Sequence, residues 1–119
     1  MTAGVALTDA TFAEFVRSAD RPVLIDFWGA WCQPCRVFDP ILEELARTDG
    51  RFVLASVDID ANTELVLRYG VTSAPTLVLL DDAEVVWRSV GARGARRLAD
   101  DLDPHLGGQV SRPVADASG

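Results

Sequence analysis

Residues 23–45 read VLIDFWGAWCQPCRVFDPILEEL, and a change of period inside this stretch decides the fold. Val23 to Trp28 form a short apolar run, as in a strand covered on both faces. Phe38, Ile41, Leu42 and Leu45 then recur at helical spacing, an apolar stripe along one helix face. Pro40 within that stripe predicts a kink near the helix's first turns. The loop between strand and helix carries the only two cysteines of the chain, Cys32 and Cys35, with Gln33 and Pro34 between them. A strand passing through a short loop into a helix is one unit of an α/β sheet.

The flanking sequence extends this alternation. Upstream, Phe12, Phe15, Val16 and Ala19 make a helix face, with Thr8 or Thr11 as the cap. Downstream, residues 52–58 read as a second buried strand. Leu65, Val66 and Tyr69 suggest a short helix stopped by Gly70. Residues 76–80 and 84–90 flank Asp81-Asp82-Ala83 and predict an antiparallel hairpin, and Leu98, Leu102 and Leu106 mark a closing helix. The order βαβαβαββα implies an α/β fold, a mixed central sheet with helices on both faces. Residues 1–106 are expected to form one domain. Residues 107–119, rich in small and polar residues, are expected to form a flexible tail.

The 119 residues carry a net charge of −7, which argues against nucleic acid or an anionic membrane as the main partner. All eleven cations are arginine; the absence of lysine excludes Schiff-base chemistry and a Walker-type phosphate loop. The amino terminus has neither a basic segment nor a continuous apolar one, so no signal peptide is read, and no apolar run approaches a membrane span. A cytoplasmic location is therefore expected. In that compartment a cysteine pair is more often catalytic or metal-binding than structural.

A bridge across two residues closes too small a loop to stabilise the fold much. Cys32 is expected at the end of the loop, with Pro34 just inside the helix, where its missing N–H is not needed. A sulfur at a helix amino terminus faces unpaired N–H groups and the positive end of the dipole, which stabilise a thiolate. Cys35, one turn on, can attack a disulfide formed at Cys32. The competing use is half a zinc site, but four ligands are needed and only His105 offers a further imidazole. No metal site is therefore expected.

The stretch 23–45, together with YGVTSAPTLVLL (69–80) and SVGA (89–92), resembles the thioredoxin family over roughly residues 5–106. The resemblance implies the thioredoxin fold and matches individual positions. Cys32 corresponds to an exposed nucleophilic cysteine and Cys35 to the resolving one. Asp26 corresponds to a buried acid that exchanges a proton with the resolving thiol. Pro75 corresponds to a cis-proline beside the disulfide, and the backbone of Ala74 to a site for strand addition by a target peptide. Gly91 and Ala92 match a small surface loop that lets a partner approach. Trp31 matches a partly exposed indole and Trp28 a more buried one. Trp87 is expected to pack in the core, Asp58 and Asp60 to end a strand and cap the segment after it, and His105 to be a solvated residue at a helix end.

Three positions depart from the family pattern. Gln33 replaces the usual glycine between the cysteines, and Gln33 and Pro34 are expected to tune the redox potential. Ser56 stands where many members carry lysine beside the buried aspartate. Asp82-Ala83 replaces an Asn-Gly-like turn, a change read as neutral.

The resemblance implies a protein disulfide reductase acting by dithiol–disulfide exchange, and the chain is expected to be a monomer. Its partners would be disulfide-containing proteins and a thioredoxin reductase, an NADPH-dependent flavoprotein; no cofactor is expected on this chain. The alternative is a peptide-binding protein or chaperone of the same fold, with redox turnover secondary.

Overall fold

The computed structural model describes residues 4–107. The elements occur in the expected order. They are β1 (Val5–Leu7), α1 (Phe12–Ser18), β2 (Val23–Trp28), α2 (Gln33–Thr48), β3 (Val53–Asp58), α3 (Thr63–Arg68), β4 (Thr76–Asp81), β5 (Glu84–Val90) and α4 (Ala95–Leu102). A 3-10 turn, Asp103–His105, continues α4. Apart from Gly107, the expected tail lies outside the described residues. The five strands form one sheet in the order β1-β3-β2-β4-β5. The first three are parallel; β4 runs antiparallel to β2, and β5 to β4.

β2 lies at the centre, and its two faces meet different cores. Val23, Ile25 and Phe27 pack with Phe12 and Leu65, on the side of α1 and α3. Leu24 packs on the other side with Phe38 and Leu42 of α2 and Leu98 and Leu102 of α4. Burying each such side chain contributes roughly 1.5–3 kcal/mol. Side chains alternate along a strand, so Asp26 shares the face of Leu24 and points beneath α2. Its strand neighbours are Ser56 of β3 and Leu77 of β4. The expected kink does not divide α2, which continues as one helix through Pro40, an exposed residue.

Capping divides in ways the sequence left open. The Thr8 hydroxyl accepts from the N–H groups of Ala10 and Thr11, while the Thr11 hydroxyl accepts from the N–H of Thr8. α3 ends as expected at Gly70, with φ of 62°, where the N–H groups of Gly70 and Val71 close on Leu67 and Val66. Its other end is capped from far away. Asp9 accepts from the N–H groups of Glu64 and Leu65, and its own N–H donates to Asn62. Arg51 pairs with Asp49 and with Asp103, each at 2.9 Å, which ties the start of β3 to the turn after α4.

The hairpin between β4 and β5 corrects one expectation. Asp82 and Ala83 have φ of 57° and 71°, so both central residues of the turn are left-handed. Such a primed turn matches the twist of a two-residue hairpin, but a Cβ there costs roughly 1–2 kcal/mol per residue. Ala83 is therefore not neutral. Replacing Ala83 by glycine will stabilise the protein by about 0.5–1 kcal/mol, part of the relief being lost to the freer unfolded chain. A thermal melt at which the two proteins coincide would sink this expectation.

Candidate active site

The carboxyl end of β2, the loop 29–32 and the first turn of α2 carry the two cysteines, joined here as a disulfide with Cα atoms 5.3 Å apart. Cys32 caps α2 in extended conformation, and its Sγ accepts the N–H of Cys35 at 3.2 Å. An unpaired helix-terminal donor is thus aimed at this sulfur, the arrangement that stabilises a thiolate. Gln33 and Pro34 occupy the first two helical positions, both exposed.

Exposure does not distinguish the two sulfurs. In the disulfide form Cys32 and Cys35 are each only 2% exposed, so the expected exposed position of Cys32 is not found. What separates them is depth along the helix: Cys32 lies at its mouth and Cys35 a turn inside.

The loop before them is braced by its own contacts. The N–H of Cys32 donates to the carbonyl of Gly29, and Arg36 donates to that of Ala30. Trp31 is 61% exposed, yet its indole N–H donates to Asp60 at 2.9 Å. A Cβ on Gly29 would come within 2.6 Å of the Trp31 ring, so the indole lies directly over this glycine. Trp28 is more buried, as expected, and Trp87 packs against the core cluster beneath α2 and α4.

Strand register brings distant segments to the same end of the sheet. Thr76, the first residue of β4, lies opposite Phe27 on one side and Val90 on the other. The segments 73–75 and 91–92 therefore flank the cysteine loop. The Ala74–Pro75 peptide bond is cis, and the Pro75 carbonyl accepts the N–H of Gly91 at 2.8 Å. Pro75 itself is buried, whereas Ala74 and Gly91 are half-buried and Ala92 exposed. Ala74 precedes the β4 ladder, so its backbone groups are not used by the sheet.

Asp26 is 1% exposed; no N–H or hydroxyl group donates to its oxygens, and the polar group its carboxyl meets is that of Asp39. Burial, reinforced by the negative charge of Asp39, pushes its pKa up from 3.8 to about 8. Ser56 faces it without a charge, its hydroxyl also buried and unpartnered. A carboxyl of this kind can hold or release a proton near neutrality.

Asp58 behaves as a strand-end cap, its carboxylate accepting the N–H of Asp60. Asp60 does more than cap, because it holds Trp31. Two further residues escaped sequence reasoning. Gly29 gave no signal; Asp39 did, as an acid set within the apolar stripe of α2. His105 lies in the terminal 3-10 turn. Among the described residues, no group of three or more His, Cys, Asp or Glu could hold a metal, and no helix is long and apolar enough to cross a membrane.

Residues 3–104 match the family model described as Thioredoxin. The thioredoxin of Mycobacterium tuberculosis is 43% identical over 104 residues, covering 85% of this chain and 88% of that protein. A Mycobacterium leprae protein named bifunctional thioredoxin reductase/thioredoxin is 42% identical over 99 residues, covering 82% of this chain and 22% of its own length. Among solved structures, a mutant thioredoxin from Halobacterium salinarum superposes with a TM-score of 0.79 at 34% identity, covering 87% of this chain and 91% of that one.

Proposed function

This chain belongs to the thioredoxin family, and on that premise we propose how its residues divide the work. It is a protein disulfide reductase, a thiol–disulfide oxidoreductase acting through the Cys32–Cys35 pair. The observation that carries the division of labour is the Cys35 N–H aimed at the Cys32 sulfur at the mouth of α2, above a buried acid.

In the reduced protein the Cys32 thiolate attacks one sulfur of a target disulfide. A mixed disulfide forms and the other target sulfur leaves as a thiolate. Cys35 gives its proton to the ionised Asp26 and attacks the Cys32 sulfur. The mixed bond breaks, the second target thiolate departs, and the Cys32–Cys35 disulfide remains. Two electrons pass to the target, whose thiolates take up protons from water.

Trp31 and the segments containing Ala74, Pro75, Gly91 and Ala92 form the target-binding surface. The unused backbone of Ala74 supports pairing with an extended peptide, and the small Gly91-Ala92 loop leaves room for it. The oxidised pair is re-reduced by an NADPH-dependent flavoprotein, thioredoxin reductase, a reading supported by the name of the M. leprae relative. The protein works in the cytoplasm as a monomer, with residues 1–106 as the functional domain, and without nucleic acid or membrane as a partner. A peptide-binding or chaperone role in which redox turnover is secondary has no observation that favours it over reduction.

Gln33 and Pro34 tune the potential from the first turn of α2. Glutamine at this position adds a polar donor beside the thiolate and favours the reduced form. Gln33→Gly will lower the potential by ~30 mV, equivalent to about 1.4 kcal/mol, in a glutathione titration; an unchanged or higher value rejects the idea. The function itself is tested by reduction of insulin disulfides with dithiothreitol as electron source. Turnover no faster than dithiothreitol alone would refute it.

A further inference from the structure

Asp26 is not the only acid beneath α2. Asp39 lies four residues after Cys35, one turn along the same helix face. Its Oδ1 is buried without a partner, while the residue as a whole is half-buried and reaches the surface. The elements around the pair supply no lysine, because the chain has none. β3 contributes Ser56 and β4 contributes Leu77. From α2 come Cys35, Asp39 and, a further turn on, Glu43, whose carboxylate accepts the N–H of Gly4 at 3.3 Å. Among the described residues, neither Asp26 nor Asp39 forms an ion pair with arginine.

Two carboxyl groups under one helix turn cannot both ionise freely; they titrate as a pair. We propose that Asp39 is a positioning residue for the proton step, the outer member of a carboxyl pair that governs when Asp26 holds its proton. The inference rests on the reading of Asp26 as the group that exchanges a proton with Cys35. The proton lost by the Cys35 thiol goes to Asp26, from Asp26 to Asp39, and from the half-buried Asp39 carboxyl to water. Cys35 is left as the thiolate that attacks Cys32, and both carboxyls return to their starting state. The burial that raises Asp39's own pKa is consistent with such a shared proton.

The test uses the full chain and two readouts, from about pH 5 to 10. One is the rate of insulin reduction; the other is the titration of the Asp26 carboxyl carbon, tracked by NMR. In Asp39→Asn, the Asp26 midpoint and the inflection of the rate profile will both fall, by about one pH unit. In Asp39→Glu, which restores the charge, both will stay close to wild type. The inference is overturned if either midpoint stays in place in Asp39→Asn, or if the glutamate variant behaves like the asparagine one. Asp26→Asn separates the two readings. An inflection that survives in Asp26→Asn removes Asp26 as the base. An inflection lost there but unmoved in Asp39→Asn removes only the role of Asp39.

Discussion

Serine at position 35 will leave target proteins covalently attached to this chain, whereas serine at position 32 will attach none and reduce nothing. Cys32 sits at the mouth of α2 and receives the N–H of Cys35, so the favoured thiolate is at Cys32. Once Cys32 has formed a mixed disulfide, only a thiol at position 35 is placed to break it. A serine hydroxyl is far too weak a nucleophile toward sulfur to substitute. Reduction by either variant should fall to background, but only Cys35→Ser should give adducts on a non-reducing gel of cell extract, and reductant should release them. Because both cysteines are equally buried in the disulfide form, the experiment isolates helix position from accessibility. Adducts formed by Cys32→Ser instead would reverse the roles.

Asp26→Asn will stabilise the folded protein at alkaline pH while slowing its chemistry. In the folded state Asp26 keeps its proton to about pH 8, whereas the unfolded chain gives it up near 3.8. Between those values the folded state binds the extra proton, so stability falls as pH rises through about 4 to 8 and levels off above. At about 1.4 kcal/mol per pH unit, the raised midpoint corresponds to a ceiling of roughly 6 kcal/mol. Asparagine never ionises, but it buries an amide without partners, a cost of about 1–3 kcal/mol. The variant should be about 1–3 kcal/mol less stable than wild type near pH 4 and exceed it by roughly 3–5 kcal/mol near pH 9, a swing that is a large fraction of the stability of a domain this size. Thermal melts across that range check it: a difference that does not grow with pH would mean that Asp26 is solvated. Insulin reduction by the same variant should be slower if Asp26 takes the proton of Cys35 as proposed.

Most of the architecture was legible because periodicity reports burial. The run from Val23 to Trp28 marked a strand apolar on both faces, and it became the centre of the sheet. The Phe38–Leu42 stripe became the buried face of α2, and Gly70 ended α3 where a left-handed residue was needed. The position of Asp26 within an apolar run likewise announced a buried carboxyl. The hairpin was read at its true place, but the cost of its turn was not, because Asp82-Ala83 contains no glycine although its geometry makes both residues left-handed.

By itself, then, the sequence determined the order of elements, the family, the reactive pair and the buried acid, since each is written in local spacing or in a contiguous motif. Tertiary structure alone decided what depends on residues far apart in the chain. It placed Asp60 on the indole of Trp31, Asp9 on the amino end of α3, and the backbone of Gly91 on Pro75. It also set Asp39 under the same turn of α2 that covers Asp26. No period of 2 or 3.6 encodes such pairings; they arise only when the sheet register and the seating of helices on it fix which side chains share a buried space.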